Sequence, residues 1–453
     1  MDKTWTFLHQ EMTWLKGLFT PETIRNPKLF AALYAYLNSL EMLGFGLALQ
    51  QQEEEYERKA RRTWVWPYLQ RRMEHGHYDN LMRELADECP EIFKNYTRMS
   101  KTLFNEIVEA ITPKIERKTT WWRQPIPPGL HVAITLRFLA TGDSYKTLGY
   151  AFRVASNTIS LIVPDTCRAI ISVYGDTELK LPQSPEEWKE VAHCYEERWN
   201  LPHCIGAMDG KHIRIRNPAL AGSHYFNYKK YFSMVLLAIV DANYMFMYVD
   251  IGAIGSESDG GVFAQTKFAD LLERHEAHLP LACVLSKNPT GPPTEYFFVG
   301  DDAFPLRTYL MKPYPNRACT KEERIFNYRL SRARLTVENA FGIMANRFRV
   351  FHTSICLKPE NAESVVMACC ILHNILRRLN VTKRHQGDYE DPVTHEIIEG
   401  AWRTDPPMGE PLQVPYHQSR TRATQSARTQ RNYLKEYCNS PQGAVPWQNK
   451  SIS

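Results

Sequence analysis

Apolar residues recur at every third or fourth position as far as Trp199 and then give way to short apolar runs and alternations, so the chain reads as helices followed by strands. Residues 1–65 have an apolar centre around Leu40 to Leu49, then QQQEEEYERKARR, a charged helix face turned to solvent. From Trp64 to Lys118, runs such as TLFNEIVEAITPKI keep the helical spacing until RQPIPPG at 123–129 interrupts it. Residues 131–174 then predict three helices: VAITLRFLATG, SYKTLGYAF behind a Ser144 cap, and NTISLIV opened by Ser156. The short RVAS turn suits a helix-turn-helix, with Asn157, Thr158 and Ser160 at the helix start where base edges are reached. An ordinary three-helix packing unit has the same pattern. Pro164 is expected to kink or break the third helix.

Past Trp199, HCIGAMDGKHIRIRN reads as one strand and SMVLLAIVDANYMFMYVDIGA as two, joined at Asp241 to Tyr244 by turn-forming residues. A helix follows from about Gly261, and YFFVGDD is a short strand ending in acids. Three strands, a crossover helix and a fourth strand are the order of an RNase H-like core, in which the fourth strand lies parallel to the first. That arrangement brings Asp209, on the first strand, towards Asp301, at the end of the fourth. A third acid must come from a later helix. In 322–349, Leu330, Val337, Phe341, Met344 and Phe348 form one stripe, and Glu338 sits at its edge, able to face a cleft without entering the core.

Two Asp and one Glu make a hard oxygen donor set, suited to magnesium or manganese rather than zinc. Phosphodiester cleavage needs charge stabilised on the attacking and leaving oxygens, which two divalent ions ~3.5 to 4 Å apart provide. Any one of these acids alone is an ordinary surface charge; their arrangement carries the argument. His193, Cys194, His203 and Cys204 form an HC-x8-HC pattern, but adjacent ligands chelate poorly and the spacing is not a usual zinc one.

Composition narrows the picture modestly. A chain of 453 residues is long enough for two or three folding units, and its net charge of +5 by itself favours nucleic acid only weakly. The local distribution says more: Lys211, Arg214, Arg216, Lys229 and Lys230 lie around the first acid. Lys321, Arg324, Arg329, Arg332, Arg334, Arg347 and Arg349 lie around the third. As phosphate contacts these would position DNA without reading its sequence. Ten cysteines without a CxxC pair suit a reducing compartment. The start lacks a signal pattern, and apolar stretches such as 234–240 are short of a membrane span, so a soluble, intracellular protein with no membrane partner is expected.

The blocks IGAMDGKHIRI, YFSMVLLAIVDANYMFMYVDIGAIGSESDGGVF, VGDDAFPL and FNYRLSRARLTVENAFGIMANRFRVF, in this order, resemble those of the PIF/Harbinger superfamily of DDE transposases and the nucleases derived from it. RRTWVWPYLQRR, LFNEIVEAI and NYLKEYCNSPQGAVPWQ look like the family's flanking segments. The resemblance implies metal carboxylates at Asp209, Asp301 and Glu338, with Asp302 at a variable position and Asp259 as a supporting acid. It implies a divalent cofactor, two Mg2+ for which Mn2+ can substitute, and cleavage of double-stranded DNA at transposon terminal repeats, with strand transfer to follow in a full transposase. A separately encoded Myb-like DNA-binding partner and a nuclear location are also implied, with the cytoplasm and a homodimer left open. Two other readings stay in view: a domesticated DNA-binding protein that does not cut, and a ribonuclease or structure-specific nuclease on the same fold.

The expected layout is α/β: an RNase H-like core, a mixed five-stranded sheet with flanking helices, preceded by an all-α region. Its parts are a helical region at 1–125, a helix-turn-helix-like unit at 126–190, the catalytic domain at 195–380 and a flexible tail at 381–453, in which QSRTRATQSARTQR serves as a basic arm.

Overall fold

The expected succession of helices and then strands is present in the computed structural model, which describes residues 3–57, 65–118, 125–315, 319–379, 389–390, 397–398 and 423–452. The end of the charged helix face, the first residues of RQPIPPG and most of the expected tail lie outside the described residues. The chain forms two compact units, Met1–Gln70 and Arg71–Ser453.

The first unit holds α1 (Lys3–Gly17), α2 (Pro21–Arg25), α3 (Pro27–Glu57) and α4 (Pro67–Gln70). Thr20 and Thr23 close a capping box at the start of α2, and α1 packs along α3. One expectation is corrected here: Pro27–Leu49 of α3, 23 residues, is long and apolar enough to cross a membrane. Asn38, Ser39 and interspersed tyrosines break it into short runs to the eye, but Glu41 is its one acid or base after Lys28.

The second unit begins with α5 (Arg72–His75), α6 (Leu81–Glu88), α7 (Pro90–Thr97), α8 (Lys101–Ile115), α9 (Pro128–Thr141), α10 (Tyr145–Phe152), α11 (Ser156–Glu178) and α12 (Pro185–Trp199). These helices do not divide at residue 125 as expected, because Ile107, Ile111, Leu136, Ile159 and Ile170 share one core with the later strands and helices. Ser100 and Ser144 cap α8 and α10, whereas α11 starts behind Ala155, with no side-chain cap. The helix α11 also runs unbroken through Pro164. The backbone hydrogen bond missing there is offset by burial of Ile159, Ile162, Val163 and Cys167 on both sides of it.

The sheet follows: β1 (Cys204–Arg214), β2 (Ser233–Val240) and β3 (Phe246–Ile254), then α13 (Asp259–Ala264) and α14 (Lys267–Glu273), then β4 (Phe297–Val299) and β5 (Leu310–Met311). The single expected crossover helix is thus two, because Thr266 caps a new start at Lys267, its hydroxyl accepting from the Ala269 amide. The strand order is β3-β2-β1-β4-β5, with β1 antiparallel to β2 and parallel to β4, an RNase H-like sheet. Side chains alternate between two cores. Ala207, Leu236 and Ala238 face one side; Ile205, Met208, Leu237 and Ile239 face the other, against Phe263, Phe268 and Leu272.

The last helices are α15 (Lys321–Arg347) and α16 (Pro359–Leu379), followed by the short pair β6 (Tyr389–Glu390) and β7 (Ile397–Ile398), and by α17 (Gln425–Asn439). All five stripe residues are buried, four in α15 and Phe348 just past its end. The basic arm is corrected: residues 425–431 are helical, 418–422 lie outside the described residues, and α17 packs on α15. Its Arg431 guanidinium lies 4.0 Å over the Tyr314 ring, and Arg329 of α15 is buried, donating to the Gly443 carbonyl at 2.9 Å and to Asn200.

Candidate metal centre

Parallel pairing of β1 with β4 sets the site. Ala207 lies beside Val299, so Asp209, two residues on, and Asp301, just past the strand end, emerge at the same edge. Asp301 is fixed by a turn in which its Oδ1 accepts from the Ala303 amide at 2.9 Å. Asp259, the first residue of α13, comes in from the opposite side, behind a Ser258 cap. Carboxylate oxygens of Asp209, Asp259 and Asp301 all lie within 4.8 Å of one another. Gly210 permits this approach: a Cβ there would stand 2.0 Å from Asp259 Oδ1. Asp302, next to Asp301, is outside the group.

Three half-buried carboxylates this close repel one another and are poorly hydrated, so protons are held more tightly. Burial, then the charges of Asp301, Asp259 and Glu338, push Asp209 up to about 7, against the opposing pull of Arg334. Burial and the charge of Asp301 push Asp259 to about 6, opposed by Lys229, and burial raises Asp301. Burial lowers Lys211, against the opposing charge of Asp209. A compact, electron-rich, all-oxygen group of this kind fits a divalent cation.

Glu338 is placed differently from expectation. It stands on the α15 face turned towards Asp209 but pairs with Arg334, one helical turn earlier, at 2.7 Å, and is not one of the three clustered acids. The i, i+4 spacing in RLTVE was legible in the sequence. Asp259, expected only as support, takes the third place in the cluster.

The family model for DDE superfamily endonucleases matches residues 208–374, which include all four acids. Over that stretch the chain is similar to DDE superfamily endonucleases. The Arabidopsis thaliana protein ALP1-like is 28% identical over 296 residues, 63% of this chain and 71% of that protein. Antagonist of Like Heterochromatin Protein 1, from the same plant, is 27% identical over 303 residues, 63% and 72% of the two chains. HARBI1 of Rattus norvegicus, named as a candidate nuclease, is 25% identical over 338 residues, 73% and 87%. The resemblance to Harbinger-derived DDE nucleases is thereby borne out. No solved structure matches significantly.

Around the three clustered carboxylates the residues expected to contact DNA divide. Arg214, Arg216, Lys229 and Lys230 are exposed beside the site, and Lys211 lies under the Phe341 ring with its amine 5.5 Å from the centroid. Arg332 is buried, its guanidinium donating to Asn200 Oδ1 at 3.1 Å and lying 5.6 Å from the Trp447 ring. Arg347 is largely enclosed, and burial and the charges of Arg377 and Arg98 lower it to about 10. Arg332 is thus taken up by the packing around Asn200 and Trp447, and Arg347 stands near Arg377 of α16. Arg334 is committed to Glu338. Asn157 and Ser160 are exposed and Thr158 is half-buried on the first turn of α11. The zinc pattern is not assembled: His193 pairs with Glu197, whereas Cys204 is buried in β1.

Proposed function

We propose that this protein is a metal-dependent DNA endonuclease or transposase, and the observation that carries the reading is the convergence of Asp209, Asp259 and Asp301 at one sheet edge. Asp209, Asp259 and Asp301 would hold divalent ions, Mg2+ or Mn2+, with Glu338 completing the set when it leaves Arg334. Such ions, when bound, activate a water or hydroxyl and stabilise charge on the leaving oxygen. The chain's own residues do the rest. Exposed Lys229, Lys230, Arg214 and Arg216 attract the phosphate backbone and set its register without reading bases. Arg334 opposes the rise in proton affinity that burial and the neighbouring acids impose on Asp209.

The substrate on this reading is duplex DNA at transposon ends, with Asn157, Thr158 and Ser160 of α11 contacting base edges and a Myb-like protein assisting in the nucleus. A second reading is favoured by one observation: with Glu338 engaged by Arg334 at 2.7 Å, the acids would persist in a DNA-binding protein that does not cut. The deciding assay is Mg2+- or Mn2+-dependent cleavage of a duplex carrying terminal repeats, with and without the Myb-like protein. Cutting lost in Asp209→Ala, Asp301→Ala and Glu338→Ala but kept in Asp302→Ala supports the endonuclease. Well-folded wild type that cuts under neither condition supports the second reading.

A further inference from the structure

The connection between β1 and β2 carries Arg216, Lys229 and Lys230 and no Asp or Glu. Residues 210–240 contain five Lys and Arg and no Asp or Glu, a charge equal to the +5 of the whole protein. Large apolar side chains are exposed there too: Phe226 at 43% and Tyr228 at 46%. Both stand just ahead of Lys229 and Lys230, also exposed.

This tip is pinned in place. Buried Asn227 donates to Ser233 Oγ at 2.9 Å and accepts from the Tyr231 amide at 3.2 Å, while the Ser233 amide donates to the Tyr225 carbonyl at 2.8 Å. Phe226 pairs with Phe232, and the Tyr228 ring stands edge-on to His212 at 5.3 Å. His212 is two residues beyond Gly210 on β1 and shares the face against which Asp259 stands, so the aromatic tip is on the Asp259 side of the carboxylates. The charges of Asp259, Asp209 and Asp301, after burial, raise the Tyr228 hydroxyl.

A rigid pair of exposed rings followed by lysines has a specific chemical match. Bases in a duplex are already stacked on both faces and offer a ring only their edges, whereas an unpaired base offers its face and its phosphates reach the ammonium groups. We propose that the Tyr225–Phe232 tip holds an unpaired stretch of the strand entering the metal centre, stacking bases on Phe226 and Tyr228 and neutralising the adjoining phosphates with Lys229 and Lys230. That the strand is DNA rests on the endonuclease reading. The tip thereby makes the site select frayed or opened ends over closed duplex.

The test is fluorescence anisotropy of the full chain in EDTA with one labelled oligodeoxynucleotide, single-stranded or annealed as a blunt duplex. Phe226→Ala with Tyr228→Ala should weaken single-strand binding by roughly 5- to 150-fold, the loss of ~1 to 3 kcal/mol for a stacked base, with a change of less than about 2-fold for the duplex. The pair Phe226→Trp with Tyr228→Trp should keep single-strand binding, and unchanged melting curves will show that both variants fold. Equal losses on both substrates, no loss, no single-strand binding by wild type, or tighter binding of the corresponding RNA strand each overturns the proposal. Ring-dependent single-strand binding by a protein that never cuts would sink the endonuclease reading and leave this one standing.

Discussion

Gly210→Ala adds one methyl group where Asp259 now stands. The new carbon would lie 2.0 Å from Oδ1, 2.3 Å from Cγ and 3.0 Å from Oδ2 of Asp259, and no backbone atom is among its nearest neighbours. Contacts of ~3.5 Å are the closest comfortable ones, so the carboxylate must withdraw by more than about 1 Å. Gly210 is in extended strand, which alanine adopts readily, so the fold survives. Metal ligation tolerates errors of only ~0.2 Å, so the displaced acid is lost as a ligand. Manganese affinity measured by titration calorimetry should fall at least as far as the roughly 10- to 100-fold seen when a ligand's support is removed. The metal-free melting temperature should change little. Because the methyl acts through one acid, Gly210→Ala combined with Asp259→Ala should bind manganese no worse than Asp259→Ala alone. Unchanged affinity in Gly210→Ala, or losses that add in the double variant, would refute the reasoning.

Two further outcomes can be checked by unfolding. Asp209 holds its proton up to about 7 when folded against an ordinary 3.8, so between those values the folded state carries the extra proton. Its contribution to metal-free stability therefore falls as pH rises from about 4 to about 7 and is fully unfavourable above that. Asp209→Asn should accordingly gain stability relative to wild type between about pH 5 and about pH 8 in EDTA, and equal pH slopes for the two proteins would count against the raised value. Arg329, 1% exposed, holds the Gly443 carbonyl and Gln448 Oε1 at 2.9 and 3.3 Å. Arg329→Ala should cost about 3 kcal/mol in denaturant unfolding and speed proteolysis near Gly443; a loss below about 1 kcal/mol would show that the C-terminal segment is held otherwise.

Local pattern alone determined much of this protein. Alternation and continuous apolar runs located β1, β2 and β3, and the 3.6-residue stripe located the buried face of α15, because burial on one or two faces imposes a period on the sequence itself. The strand order then placed Asp209 and Asp301 together. What only the tertiary structure decided is which partner each charge meets. Asp259 enters the carboxylate group across the gap left by Gly210, and Arg334 turns to Glu338. Arg332 disappears beneath neighbouring elements, and Arg431 of the expected loose arm settles on Tyr314. That no division falls at residue 125 was likewise invisible, since α8, α9 and α11 look like any amphipathic helices until they share a core with α16. A charged side chain reads the same in sequence whether it meets DNA, a carboxylate or a carbonyl; the choice depends on elements far apart in the chain arriving at one place.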